Sequence, residues 1–193
     1  GYTGSTTVTA GGTLIVTGAL NGTTSLAVNG GTADLNANNA VNALAPLTLA
    51  AGTLATLASQ TETLGSLTLG AGSSTLSLGA TGSVMNFADS LANAANWTGT
   101  LAITNWTGFS AGGGADQVFI GSTADLTAGQ LADITFVNGT EDGNSFTSMG
   151  ATQLANGEIV AAVPEPDTLA MMLAGTSMLG MWQRWRRTSR RDA

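Results

Sequence analysis

Through the first eighty residues, apolar side chains alternate with threonine, serine or alanine in short runs, and a small-Gly-hydroxyl triplet separates successive runs. Thr7-Val8-Thr9 and Leu14-Ile15-Val16 flank Gly11-Gly12-Thr13, and Leu26-Ala27-Val28 precedes Gly30-Gly31-Thr32. Leu47-Thr48-Leu49 and Leu54-Ala55-Thr56-Leu57 flank Ala51-Gly52-Thr53, while Leu67-Thr68-Leu69 and Leu76-Ser77-Leu78 flank Ala71-Gly72-Ser73. A period of two places alternate side chains on opposite faces of a strand, and glycine between two runs permits the positive φ of a tight turn. The pattern therefore predicts strands with Leu14, Val16, Leu26, Val28, Leu49, Leu67, Leu69, Leu76 and Leu78 buried, and the triplets at turns.

The triplets recur at intervals of 19, 21 and 20 residues. A strand-turn-strand unit of that size cannot bury its own apolar face, whereas a stack of such units can. The expected fold is all-β: a right-handed parallel β-helix, or solenoid, over residues 1–83. Sequential hairpins in an antiparallel sandwich would produce the same alternation. From Val84 the spacing decays. Asp89–Ala94 reads as a short turn or helix, and Trp97, Leu101, Ile103 and Trp106 as a strand hairpin with larger apolar groups. Gly112–Gly114 reads as a loop, and Gln117–Ile120 and Ile134–Val137 as strands. Thr127 and Gln130 have capping-box spacing for a short helix ending at Asp133. Leu154 and Ile159-Val160 flank an Asn156-Gly157 turn. Because a solenoid needs its open core closed, 84–162 is expected to be a β-rich C-terminal cap.

Composition narrows the chemistry. Of 193 residues only 9% are charged and 5% aromatic, and there is no cysteine, histidine or lysine. That excludes disulfide frameworks, Cys- or His-ligated metals, Ser-His-Asp catalysis and Schiff-base lysines. All five basic residues (Arg184, Arg186, Arg187, Arg190 and Arg191) lie in the last ten positions, and residues 1–183 hold eleven acids and no base. A body without cations cannot neutralise phosphates, so nucleic acid is not expected as a partner.

The arginines follow an apolar stretch, Thr168–Trp182, which itself follows Val163-Pro164-Glu165-Pro166. The prolines favour an extended, accessible connection. Fifteen residues make a helix of about 22 Å against a hydrocarbon core of about 30 Å, short for a permanent anchor. Trp182 and Trp185 suit the membrane interface, and the arginine cluster should stay cytoplasmic with the body outside. Residues 163–193 are thus expected to be a separate segment with one hydrophobic α-helix and the membrane as partner. The chain opens at Gly1 without an initiator methionine, and we expect it to be the C-terminal part of a longer exported protein.

Pro164-Glu165-Pro166, the short apolar helix and the terminal arginines together resemble the PEP-CTERM sorting signal of Gram-negative bacteria. The resemblance implies an exosortase-type membrane protease as partner, transient residence in the inner membrane, and delivery to the cell surface or extracellular matrix. Tyr2 to Val8, Gly11-Gly12-Thr13-Leu14, and Leu26 to Asn36 resemble autotransporter-associated β-strand repeats, which implies a β-helical passenger. No C-terminal translocator barrel accompanies them, so self-translocation is not implied.

Other candidate sites have plainer readings. Asn138–Asn144 alternates oxygen side chains with Gly143 sixth, like the start of a Ca²⁺ loop, but Met149 stands at the twelfth position and a surface hairpin fits better. Asp116, Asp125 and Asp133 show no spacing that argues for acid-base work. Four Asn-x-Thr sequences, at Asn21, Asn96, Asn105 and Asn138, are accounted for by composition. The expected function is structural or adhesin-like, with no catalytic residue, metal or cofactor and with extracellular polysaccharide as a further partner class. The rival readings are a fragment of a β-helical carbohydrate-active enzyme and a permanently anchored surface protein.

Overall fold

The computed structural model describes residues 2–80 and 82–163. It is all-β. Fourteen of the fifteen strands form one continuous hydrogen-bonded path that folds back on itself and nearly closes. One arm of the path runs through β1 (Gly4–Thr9), β3 (Thr23–Asn29), β5 (Leu47–Ala50), β7 (Thr61–Leu69), β9 (Val84–Ala88) and β12 (Gln117–Ile120). The other runs through β2 (Thr13–Val16), β4 (Thr32–Leu35), β6 (Thr53–Thr56), β8 (Gly72–Ser77), β10 (Gly99–Thr104) and β13 (Ile134–Glu141). Within each arm all neighbours are parallel.

The register explains the sequence period. Val8 stands beside Val28, Val28 beside Leu49, and Leu49 beside Leu69. In the facing arm Leu35 stands beside Thr56, and Leu54 beside Leu76. Identical parity in successive rows puts every apolar column on one side, and the two arms share one core, β5 lying against β8 and β7 against β10. Full burial of a leucine stabilises by roughly 1.5–3 kcal/mol, so a column of leucines outweighs any single polar contact here. Of the nine residues expected inside, eight are buried. Leu14 is only partly buried, because its row lies at the end of the stack with neighbours on one side.

The triplets are indeed corners. Gly11 and Gly30 have φ of 74° and 76°, and the equivalent corner of the next row is made by Ala51 at 52°. The second glycine is needed for space: a Cβ on Gly52 would lie 2.4 Å from the Val28 carbonyl oxygen. With that room, the corners stack by hydrogen bonds. The N–H groups of Thr32, Thr53 and Thr75 donate to the carbonyls of Gly12, Gly31 and Gly52, each at 2.9 Å.

Beyond Val84 the ladders continue although the period does not. β9 pairs in parallel with β7 and β12, and β10 with β8 and β13. The longer intervals hold a 3₁₀ segment at Leu91–Asn96, the Gly112–Gly114 loop, and α1 (Ala128–Ala132). Thr127 caps α1 with a complete capping box to Gln130, as its spacing predicts. The hairpin expected between Trp97 and Trp106 is not formed. β10 instead sits between two parallel neighbours, because Leu101 and Ile103 fall in line with Ser74 and Leu76 on one side and Ile134 and Phe136 on the other. After it, β11 (Thr107–Gly108) pairs with β13 in parallel.

Between strands, antiparallel pairing is confined to the pairs that involve β14 and β15. β14 (Asn144–Gln153) returns beside β13, and β15 (Glu158–Ala161) pairs with β14 on one side and β12 on the other, joining the two arms. Inside this end Trp106 packs on Phe136 and Phe146, with ring centroids 4.9 and 6.3 Å apart in tilted geometry.

Candidate sorting segment and its attachment

The chain approaches Pro164 along β15. All four of its residues are buried, and its neighbours hold it from both sides, Ile159 opposite Val118 and Gln153, and Ala161 opposite Ala151. The turn into β15 is the one expected at Asn156-Gly157: Gly157 N–H donates to Leu154 O at 2.9 Å, and Asn156 Oδ1 accepts from Glu158 N–H at 3.1 Å. The last rung beyond the strand is Ala162 N–H to Gly150 O, 2.9 Å. Val163 then has 40% of its surface exposed. A pull on the following segment would therefore load a strand held along both edges.

Residues 162–187 match the PEP-CTERM protein-sorting motif. The matched segment begins at the residue that makes the last rung, and it contains Pro164, Glu165, Pro166, Trp182, Arg184, Trp185, Arg186 and Arg187. This motif indicates an exported protein that is transiently membrane-associated, and such signals are processed by exosortase. No curated protein and no solved structure matches the chain. Apart from Val163, the sorting and topology residues lie outside the described residues, as do Arg190, Arg191 and the expected helix over 168–186. Among the described residues no helix is long and apolar enough to cross a membrane.

The acids singled out in the sequence are not gathered into one site. Asp125 is exposed and accepts a hydrogen bond from the Thr123 hydroxyl, and Asp133 closes α1. Asp116 is fully buried. Its two oxygens accept from Ser83 N–H and Thr107 N–H, each at 2.9 Å, tying together segments far apart in the chain. Burial pushes its pKa up from 3.8, opposed by the backbone N–H groups of Ser83, Thr107 and Gly82.

Sequence reasoning missed two further buried carboxylates. Glu62 is inside β7, where one oxygen accepts from Ala40 N–H at 2.6 Å and the other has no partner. Burial raises its pKa above 4.5 against the lowering effect of the Ala40 and Val41 N–H groups. Glu158 in β15 accepts from Gly113 N–H at 2.9 and 3.0 Å. Parity could have found Glu62, since it lies two residues before the inward-facing Leu64. With no basic residue before Arg184, none of these carboxylates has an arginine, lysine or histidine within the body to pair with. They act as acceptors for loop N–H groups. Asn138–Asn144 is the tip of the β13–β14 hairpin, with Asp142 and Gly143 at φ of 46° and 78° in a two-residue turn.

Proposed function

We propose that residues 1–162 are the structural, adhesin-like body of a surface or matrix protein of a Gram-negative bacterium, and that 163–193 is its removable export tag. In this reading the body is a right-handed parallel β-helix of the autotransporter-associated repeat type, and residues 84–162 serve as its cap. It has no catalytic activity and meets extracellular polysaccharide through side chains of its outer faces. The observation that carries the reading is the position of the sorting motif, which starts where the last ladder rung ends. The parallel ladders support the β-helical part of it.

On this proposal, residues 168–186 cross the membrane as one helix with Trp182 and Trp185 at the interface and the arginines in the cytoplasm. The extended Pro164-Glu165-Pro166 is then presented to the protease. The test is mass spectrometry of the surface-exposed form in a host with exosortase. The mature protein is expected to lack the arginine cluster, and Pro164-Glu165-Pro166 replaced by three alanines is expected to leave the precursor in the inner membrane. Recovery of an intact C-terminus through Arg191 at the surface would favour a permanent anchor instead. Turnover of a polysaccharide by the body, abolished by one Asp or Glu substitution, would overturn the non-catalytic reading.

A further inference from the structure

β14 pairs with β13 from Asn144 to Gly150 and with β15 from Ala151 to Gln153, so among the described residues its second edge has no partner from Asn144 to Met149. That stretch, Asn144-Ser145-Phe146-Thr147-Ser148-Met149, holds neither a charge nor a proline of its own. Unpaired edges of this kind template further pairing, which proteins prevent with charge, proline or a covering element. The segment best placed to take this edge is the one that leaves β15, since β15 already runs antiparallel beside β14 and the chain is tethered there by the Ala162 rung. A tether raises the effective concentration of a segment and favours its pairing over that of a separate chain.

In an antiparallel pair, alternate residues exchange N–H and C=O bonds, and the residues between them turn those groups away. Ala151 lies opposite Ala161 and Thr152 opposite Val160, and Ala162 N–H donates to Gly150 O at 2.9 Å. Continued in that register, residue 164 falls opposite Ser148 and residue 166 opposite Phe146, both at the donating parity. Both are proline, which has no N–H to donate. At residues 163 or 165 a proline would turn its missing donor to solvent and be tolerated, as on an edge strand. We propose that Pro164 and Pro166 are ladder stops, which hold the sorting segment off the edge of β14 and end the body at Ala162. The consequence for export rests on the reading of 163–193 as a removable tag. A segment zipped along β14 would belong to the sheet of the body, whereas one stopped at Ala162 is left to the membrane and the protease.

The test is amide hydrogen exchange of the full chain in a mild non-ionic detergent, read residue by residue by NMR. By the same alternation Ser148 and Phe146 N–H face the unpaired edge, and Met149 N–H faces β13, where it lies opposite Phe136. Ser148 and Phe146 are expected to be at least about tenfold less protected than Met149. Pro164→Ala combined with Pro166→Ala is expected to slow exchange at Ser148 and Phe146 at least about tenfold and to leave Met149 unchanged. Adding Glu165→Pro to that pair is expected to keep the gained protection, because position 165 turns its N–H away from β14. Glu165→Ala alone, with both prolines in place, is expected to change nothing. Strong protection of Ser148 and Phe146 in the native chain, or none gained in the double variant, would overturn the proposal. So would loss of the gained protection on adding Glu165→Pro. No protease enters this measurement, so its failure is separate from failure of the tag reading, which shows as an intact C-terminus at the cell surface.

Discussion

The two ends of the β body solve the same problem differently. At one, among the described residues, β1 and β2 each pair with a single neighbour, and Leu14 is the least protected member of its column. At the other, β14 and β15 carry the hydrogen bonding from one arm to the other, with residues 151–153 of β14 paired to β15 and residues 144–149 paired to β13 alone. This end also holds the aromatic group Trp106, Phe136 and Phe146, together with the buried Gln130 and Gln153. Gln130 Nε2 donates to Ser90 O at 3.0 Å, and Gln153 Nε2 donates to Ile120 O at 2.7 Å. The lesson is that a stack of parallel rows can grow on repetition alone but can be finished only by breaking it. Antiparallel return strands, a capped helix and aromatic bulk appear together where the period is lost.

The contrast can be broken most sharply at its centre. Trp106→Ala should remove about 3–5 kcal/mol of stability in urea unfolding, because the ring is fully buried against two aromatic partners. Leu14→Ala, in the open row, should cost well under half as much, about 1 kcal/mol. Equal losses would mean that Leu14 is covered in solution, and the contrast between the two rows would fail.

A smaller effect is expected from Asp116→Asn. The amide keeps one acceptor oxygen but turns an N–H₂ toward one of two backbone donors, which should cost about 1–3 kcal/mol. The ladder from β8 to β10 should stay protected in hydrogen exchange while the Ser83 and Thr107 amides open. Uniform loss of protection would show that Asp116 supports the whole stack.

The pH dependence is the finest probe. Glu62 and Asp116 have folded pKa values raised above their ordinary 4.5 and 3.8, so the folded state binds their protons more tightly than the unfolded chain does. Their contribution to stability is complete below the ordinary values and is lost as pH rises through the raised ones. The melting temperature should therefore fall from mildly acidic toward neutral pH. Glu62→Gln should flatten part of that slope without altering the contribution of Asp116. A melting temperature that rises over the same window would contradict the burial argument.

Much of the fold was legible because β parity is local. Val16, Leu26, Val28, Leu49, Leu67, Leu69, Leu76 and Leu78 could be assigned to the core from alternation, and Thr127–Gln130 declared its helix through cap chemistry. The sorting segment was legible for a different reason: Pro164-Glu165-Pro166, an apolar run and an arginine cluster are composition-level signals that need no partner strand. The partners of β10 were not legible. Trp97, Leu101, Ile103 and Trp106 carry strand propensity, but whether the next strand returns beside them or arrives some thirty residues later is set by the neighbouring ladders.

The sequence by itself determined the strand-forming runs, the corners, the charge-free first row and the separate character of residues 163–193, since each depends on residues close together in the chain. Tertiary structure alone decided the rest. It brought Asp116 to Ser83 and Thr107, placed Glu62 beside Ala40, and joined the two arms through β14 and β15. The Asp116–Ser83 and Glu62–Ala40 contacts join residues 33 and 22 apart, and burial rewards such meetings only once the stack has formed.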